Sequence, residues 1–62
     1  MKKGDKARSK QDPSVVYTVW AVNGKKRAGR PIELRRKMAN ANRAVVVTFV
    51  SKDEFNRWLE LI

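Results

Sequence analysis

Two uninterrupted runs of β-branched and aromatic residues constrain what this chain can fold into. Val15-Val16-Tyr17-Thr18-Val19-Trp20-Ala21-Val22 and Ala44-Val45-Val46-Val47-Thr48-Phe49-Val50 are strand chemistry almost throughout. The first does not alternate cleanly between apolar and polar residues. Either both its faces are covered, or Val16, Trp20 and Val22 turn inward and leave Tyr17 partly exposed; Trp20 is expected in the core. Asp12-Pro13-Ser14 ahead of it is a turn signal, and Asn23-Gly24 behind it fits a type I′ hairpin turn. That hairpin would carry Lys25, Lys26 and Arg27 back as a short charged strand, and such charge blunts a sheet edge.

The remaining segments follow from these two. Ser51 fits an N-cap and Glu54 the N3 position of a capping box, with Asp53 and Glu54 complementing the helix dipole. Phe55, Trp58, Leu59 and Ile62 then recur at helical spacing, which predicts a C-terminal helix packing an apolar stripe on the sheet. Over residues 31–43, Pro31 suits a first helical position, and Glu33-Leu34-Arg35-Arg36-Lys37-Met38-Ala39 are good helix formers. A short helix is the favoured reading. The alternation of Ile32 and Leu34 with Glu33 and Arg35 leaves a strand open, with Asn40-Ala41-Asn42 as the turn after it. Residues 1–10 offer only Met1 and Ala7 for burial, so residues 1–12 are expected as a basic mobile arm or loosely paired edge strand. Residues 13–62 then form a single small α+β domain, an antiparallel sheet packed by the C-terminal helix, with a basic insertion at 25–43.

Charge divides along the same lines. The chain carries 15 Lys plus Arg against 6 Asp plus Glu, a net +9. Lys2, Lys3, Lys6, Arg8 and Lys10 against Asp5 make residues 1–10 +4, and eight cations against Glu33 make residues 25–43 +7. The two apolar stretches are each −1. A solubilising surface mixes both signs, so a block this one-sided points to a polyanionic partner. With no Cys and no His in 62 residues, zinc sites of the usual kinds, disulfides, redox pairs, thiol nucleophiles and histidine bases are excluded. The serines have no histidine to activate them, glycines are too few for a phosphate-cradling loop, and no cofactor is implied. A non-enzymatic binder is expected. Polar residues follow Met1-Lys2-Lys3 where a secretory signal needs an apolar run, which points to the cytoplasm and away from a membrane.

Three resemblances add to this reading. Gly29-Arg30-Pro31 after Lys25-Lys26-Arg27-Ala28 resembles the AT-hook, with Ala28 where the hook's first arginine stands; it implies minor-groove insertion of Arg30, against the plainer role of ending a loop. Gly4-Asp5, Asp12-Pro13 and Tyr17-Thr18-Val19 resemble the opening of small SH3-like β-barrels of the KOW and Tudor type. That resemblance implies a partial barrel binding nucleic acid or a protein tail. The layout of Tyr17-Thr18-Val19, Gly24-Lys25-Lys26-Arg27 and the stretch from Val47 to Leu59 is similar to integrase arm-binding (AP2-like) domains, which implies a sheet entering the major groove.

The expected function is nucleic-acid binding, to DNA or RNA, through phosphate contacts from Lys25, Lys26, Arg27, Arg30, Arg35, Arg36, Lys37 and Arg43, with Lys2, Lys3 and Lys6 added by the N-terminal arm. The alternative is a protein-binding adaptor or inhibitor docking an acidic patch of a larger complex, a role that small proteins of phages and mobile elements often serve. A second copy of the chain is a further candidate partner, since so small a core supplies only about 3–5 kcal/mol.

Overall fold

The computed structural model describes residues 1–37 and 45–62. In chain order it contains β1 (Lys6–Ser9), β2 (Val16–Ala21), β3 (Ile32–Lys37), β4 (Val45–Val50), α1 (Lys52–Trp58) and β5 (Leu59–Leu61). The strands make one five-stranded antiparallel sheet in the order β4-β3-β2-β1-β5. Four strands meander, and the fifth returns beside the first by way of α1.

Alternation along the strands assigns each side chain to a face. Ala7, Val19, Ile32, Leu34 and Val50 turn inward and meet Phe55 and Leu59, forming the core, with Tyr17 and Val22 packed against it. The β1–β2 connection uses the expected Asp12-Pro13-Ser14 turn: Ser14 donates from both its backbone N–H (3.1 Å) and its hydroxyl (2.7 Å) to Asp12 Oδ1. These bonds, the hydroxyl's first, hold the Asp12 carboxyl below its ordinary range. The α1 capping box is present in full, with Glu54 N–H donating to Ser51 Oγ (3.1 Å) and Ser51 N–H donating to Glu54 Oε1 (3.0 Å).

Several expectations are corrected. Ile32–Lys37 forms strand β3, not a helix, and sits between β2 and β4, so this part of the expected basic insertion is a strand of the sheet itself. Helix preference among such residues differs by tenths of a kcal/mol each, whereas fully burying Ile32 and Leu34 contributes about 1.5–3 kcal/mol each. Met38, Ala39, the Asn40-Ala41-Asn42 turn, Arg43 and Ala44 lie outside the described residues. Asn23-Gly24 makes no type I′ turn, because neither residue has positive φ. Lys25, Lys26 and Arg27 belong instead to a long loop. It is closed at its base by Gly24 N–H to Pro31 O (2.8 Å) and folded at its tip around Gly29 (φ 74°), where Arg30 N–H reaches Arg27 O (3.2 Å). Nor is the N-terminal segment an arm or an edge, since β1 pairs with β2 on one side and β5 on the other, with Ala7 fully buried. A methyl group is enough to fill the position because strands cover both flanks.

The helix is also shorter than its apolar stripe. It ends at Trp58, and the chain turns extended at Leu59 (φ −129°, ψ 160°) to enter β5. Phe55 is buried as expected, but Trp58 is 50% exposed and Ile62 is exposed beyond the sheet.

Candidate nucleic-acid interface

The face of the sheet opposite the core is built from every second strand residue. It carries Lys6 and Arg8 from β1, Val16, Thr18 and Trp20 from β2, Glu33, Arg35 and Lys37 from β3, and Val45, Val47 and Phe49 from β4. Trp20 lies there by the strand's alternation, at a register shift in the β2–β3 pairing. Val19 pairs with Leu34 and Ala21 with Glu33, so two residues of β2 oppose one of β3 at this point, and Trp20 is aimed outward beside Arg35. It is 42% exposed, not a core residue as expected from its size and the apolar run around it.

Cations stand over the rings of this face and beside them. The Arg35 guanidinium lies 4.3 Å from its ring centroid and Lys3 Nζ 5.5 Å, both within cation–π range. Lys6 Nζ donates to Thr18 Oγ1 (3.1 Å) on the same face. Arg27, from the long loop, places its guanidinium 5.7 Å from the Phe49 ring centroid. Lys37 is exposed at the end of β3.

Beneath the cations lies one buried carboxylate. Glu33 is 3% exposed although it points to the solvent side of the sheet, because Arg35 and Lys26 cover it. Arg35 donates to Glu33 Oε2 through Nε (2.8 Å), with Nη2 2.6 Å from the same oxygen, and Lys26 Nζ stands 3.5 Å from Oε1. The Arg35 hydrogen bond, opposed by burial and assisted by the Lys26 charge, holds the Glu33 carboxyl below its usual range. Glu33 thereby fixes Arg35 against Trp20 and spends part of its charge.

The expected phosphate contacts thus sort into groups. Lys3, Lys6, Lys26, Arg27, Arg35 and Lys37 share the outer face or its rim, while Lys2 and Lys25 are exposed near it in sequence. Arg36 and Arg30 are elsewhere. Arg36 alternates to the inner side, its guanidinium 5.6 Å from the Tyr17 ring centroid and its Nε buried without a hydrogen-bond partner. Arg30 pairs with Glu54 (3.2 Å) at the start of α1, away from the outer face. The Ser51 backbone bond, then the Arg30 charge, keep Glu54 below its usual range. Arg8, not among the expected contacts, also lies on the outer face, paired to Glu60 at 2.8 Å. Trp20 itself is the residue that sequence reasoning misplaced; the period-two pattern Thr18, Trp20 against Tyr17, Val19 was the signal for it.

On the opposite side, where β4 and β5 are not hydrogen-bonded to each other, a groove of about 400 Å³ opens between β4 and α1, lined by Tyr17, Leu34, Arg36, Val50, Trp58 and Leu59 among others. Among the described residues no cluster of three acidic side chains comes together to hold a metal ion, and no helix is long and apolar enough to cross a membrane. Compared with known proteins, the chain matches no family model, no curated protein and no solved structure.

Proposed function

We propose that the protein is a nucleic-acid-binding module that acts through the outer face of its sheet, as a binder without catalytic groups. The observation that carries this reading is that Lys3 and Arg35 lie over the exposed ring of Trp20 and Arg27 over the half-buried ring of Phe49, with Lys6 and Lys37 on the same face of the sheet. A surface meant only for solubility has no need to gather cations over aromatic rings, and aromatic rings among cations suit a ligand with both phosphates and flat bases. The meander whose last strand returns beside the first, bringing the two ends of the sheet toward each other across α1, supports an SH3-like partial barrel as the architecture.

Salt titration tests the reading. Five to seven phosphate contacts give a log–log slope of about −3.5 to −6, depending on strandedness, and a slope shallower than about −2 overturns it. The triple reversal K3E/R27E/K37E changes cations with no carboxylate partner among the described contacts, and it should abolish binding with the circular dichroism spectrum unchanged.

A second reading, a protein-binding adaptor, is favoured by the inner groove, where half-exposed Trp58 and the unpartnered Arg36 Nε lie beside Tyr17. It holds if no nucleic acid co-purifies before nuclease treatment and a protein partner stays bound in high salt, lost in W58A and kept in the triple reversal.

A further inference from the structure

The outer face is more than a field of positive charge, and its apolar component narrows the ligand. Resting on the nucleic-acid reading above, we infer that the ligand is single-stranded, with an unpaired base stacked on the platform that Trp20 and Arg35 form together and a neighbouring base on the one that Phe49 and Arg27 form.

The face mixes apolar side chains with its cations. Between its cations stand Trp20, Val16, Val45 and Val47, all more than a third exposed, together with Phe49. A duplex turns phosphates outward and hides the faces of its bases, so it offers these side chains little to cover. An unpaired base offers a ring, and base–aromatic stacking is tolerant of sequence. Among the described residues, the strands of this face carry no Asn or Gln that could read base edges in a groove, and the guanidinium of Arg35 is already committed to Glu33. Glu33 occupies one edge of the Arg35 guanidinium, through Nε and Nη2, and holds its flat face in place, and guanidinium planes stack on bases as aromatic rings do.

The aromatic platform is also preorganised. Three contacts hold the Trp20 platform before any ligand arrives: the Glu33 carboxylate that grips Arg35, the 4.3 Å approach of guanidinium to ring, and the lysine at 5.5 Å. A long arginine ordered in the free protein loses little freedom on binding. Trp20 and Phe49 stand on strands separated by one other, about 9.5 Å apart across the sheet, a span that one or two extended nucleotides can bridge. Lys3, over the Trp20 ring, and Lys6, on the neighbouring strand of the same face, stand ready for the phosphates.

The test uses W58F, which leaves Trp20 as the sole tryptophan. Fluorescence titrations at one salt concentration compare a dT oligomer, a U oligomer, a duplex of the same length, and polyphosphate as a base-free polyanion. The expected result is quenching of Trp20 by a single strand, tighter binding to that strand than to the duplex, and no quenching by polyphosphate; the dT and U arms tell DNA from RNA. W20A should weaken single-strand binding roughly 5- to 150-fold, the equivalent of about 1–3 kcal/mol, and W20F should restore much of it. Equal or tighter binding to the duplex, or single-strand binding unchanged in a folded W20A, overturns the inference while leaving the nucleic-acid reading in place. Should W20A not fold, the W58F quenching result decides alone. Binding to neither form at low salt overturns both.

Discussion

The two faces of the sheet use the same strands for opposite ends, and β2 shows it most directly. Val19 and Trp20 are neighbours in sequence; Val19 is completely buried among Ala7, Leu34 and Ile32, while Trp20 stands half in solvent under two cations. Volume and hydrophobicity alone would assign them the other way round. What separates them is the period of the strand, which shows that in a domain this small the backbone register, not side-chain apolarity, decides which residues are structural. The inner face spends small and medium aliphatic groups on stability. The outer face leaves its largest ring available.

That contrast is strongest at β3, and the largest expected effect is there. Leu34→Ala, on the inner side, should cost about 2–5 kcal/mol, as much as the whole stability of a core this size, so the variant should be unfolded by circular dichroism at room temperature. A cooperative unfolding transition near that of the native chain would show that the inner face is not the core. Next comes Glu33→Gln, one residue away on the outer side. It removes the charge that holds Arg35 and Lys26, and should lower denaturant stability by about 1–3 kcal/mol without unfolding the chain.

The same residue gives the contrast a pH signature. Glu33, Glu54 and Asp12 all have carboxyls held below their ordinary range in the folded state. Their contribution is therefore complete above the ordinary carboxylate range and is lost as pH falls through the lower folded values, because the unfolded chain takes up protons that the folded one resists. Melting temperature should be level near neutrality and fall on the acid side, and Glu33→Gln should flatten that fall. An unaltered acid limb in the variant would mean that Glu33 is not the group being titrated. Smaller again is Ser51→Ala, which removes half of the capping box at α1 and should cost about 1 kcal/mol, measured by the same denaturant curves. Smallest is the pair Arg8–Glu60, exposed on both sides. A double-mutant cycle there should return at most about 0.5–1 kcal/mol and vanish in high salt.

How much of this was legible in the chain follows the same division. Strands β2 and β4, the Asp12 turn and the Ser51 cap were readable because each rests on local chemistry: β-branching, a side chain that bonds two residues on, a hydroxyl that accepts an N–H. Strand β3 was not. Its Glu, Arg and Lys residues favour a helix, and only pairing with β2 and β4, formed by residues distant in sequence, turns Ile32 and Leu34 into core. Ala7 was invisible for a related reason, since a methyl group gives no hydrophobic signal and becomes a core residue only when strands close over it from both sides. Trp58 fell outside the core because the helix stops where β5 must begin, a requirement imposed by β1 and absent from the apolar spacing. For the site, the charge block at 25–37 was evident, but the side to which each cation turns was not: alternation sends Arg35 to the aromatic face and Arg36 to the groove.

The pairing of β1 with β5 also bears on the order in which the chain can fold. Ala7 lies opposite Leu61, so strand β1 completes its second row of hydrogen bonds only when residues near position 60, more than fifty positions later, have left the ribosome. Hairpins β1–β2 and β3–β4 can form as they emerge, but β1 waits with one side open, and contacts of such sequence separation are the slow ones in small β-rich domains. Until then the inner face, with Val19, Ile32 and Leu34, has no Phe55 or Leu59 to cover it. The interval between synthesis of β4 and arrival of β5 is when this chain is most open to aggregation and proteolysis.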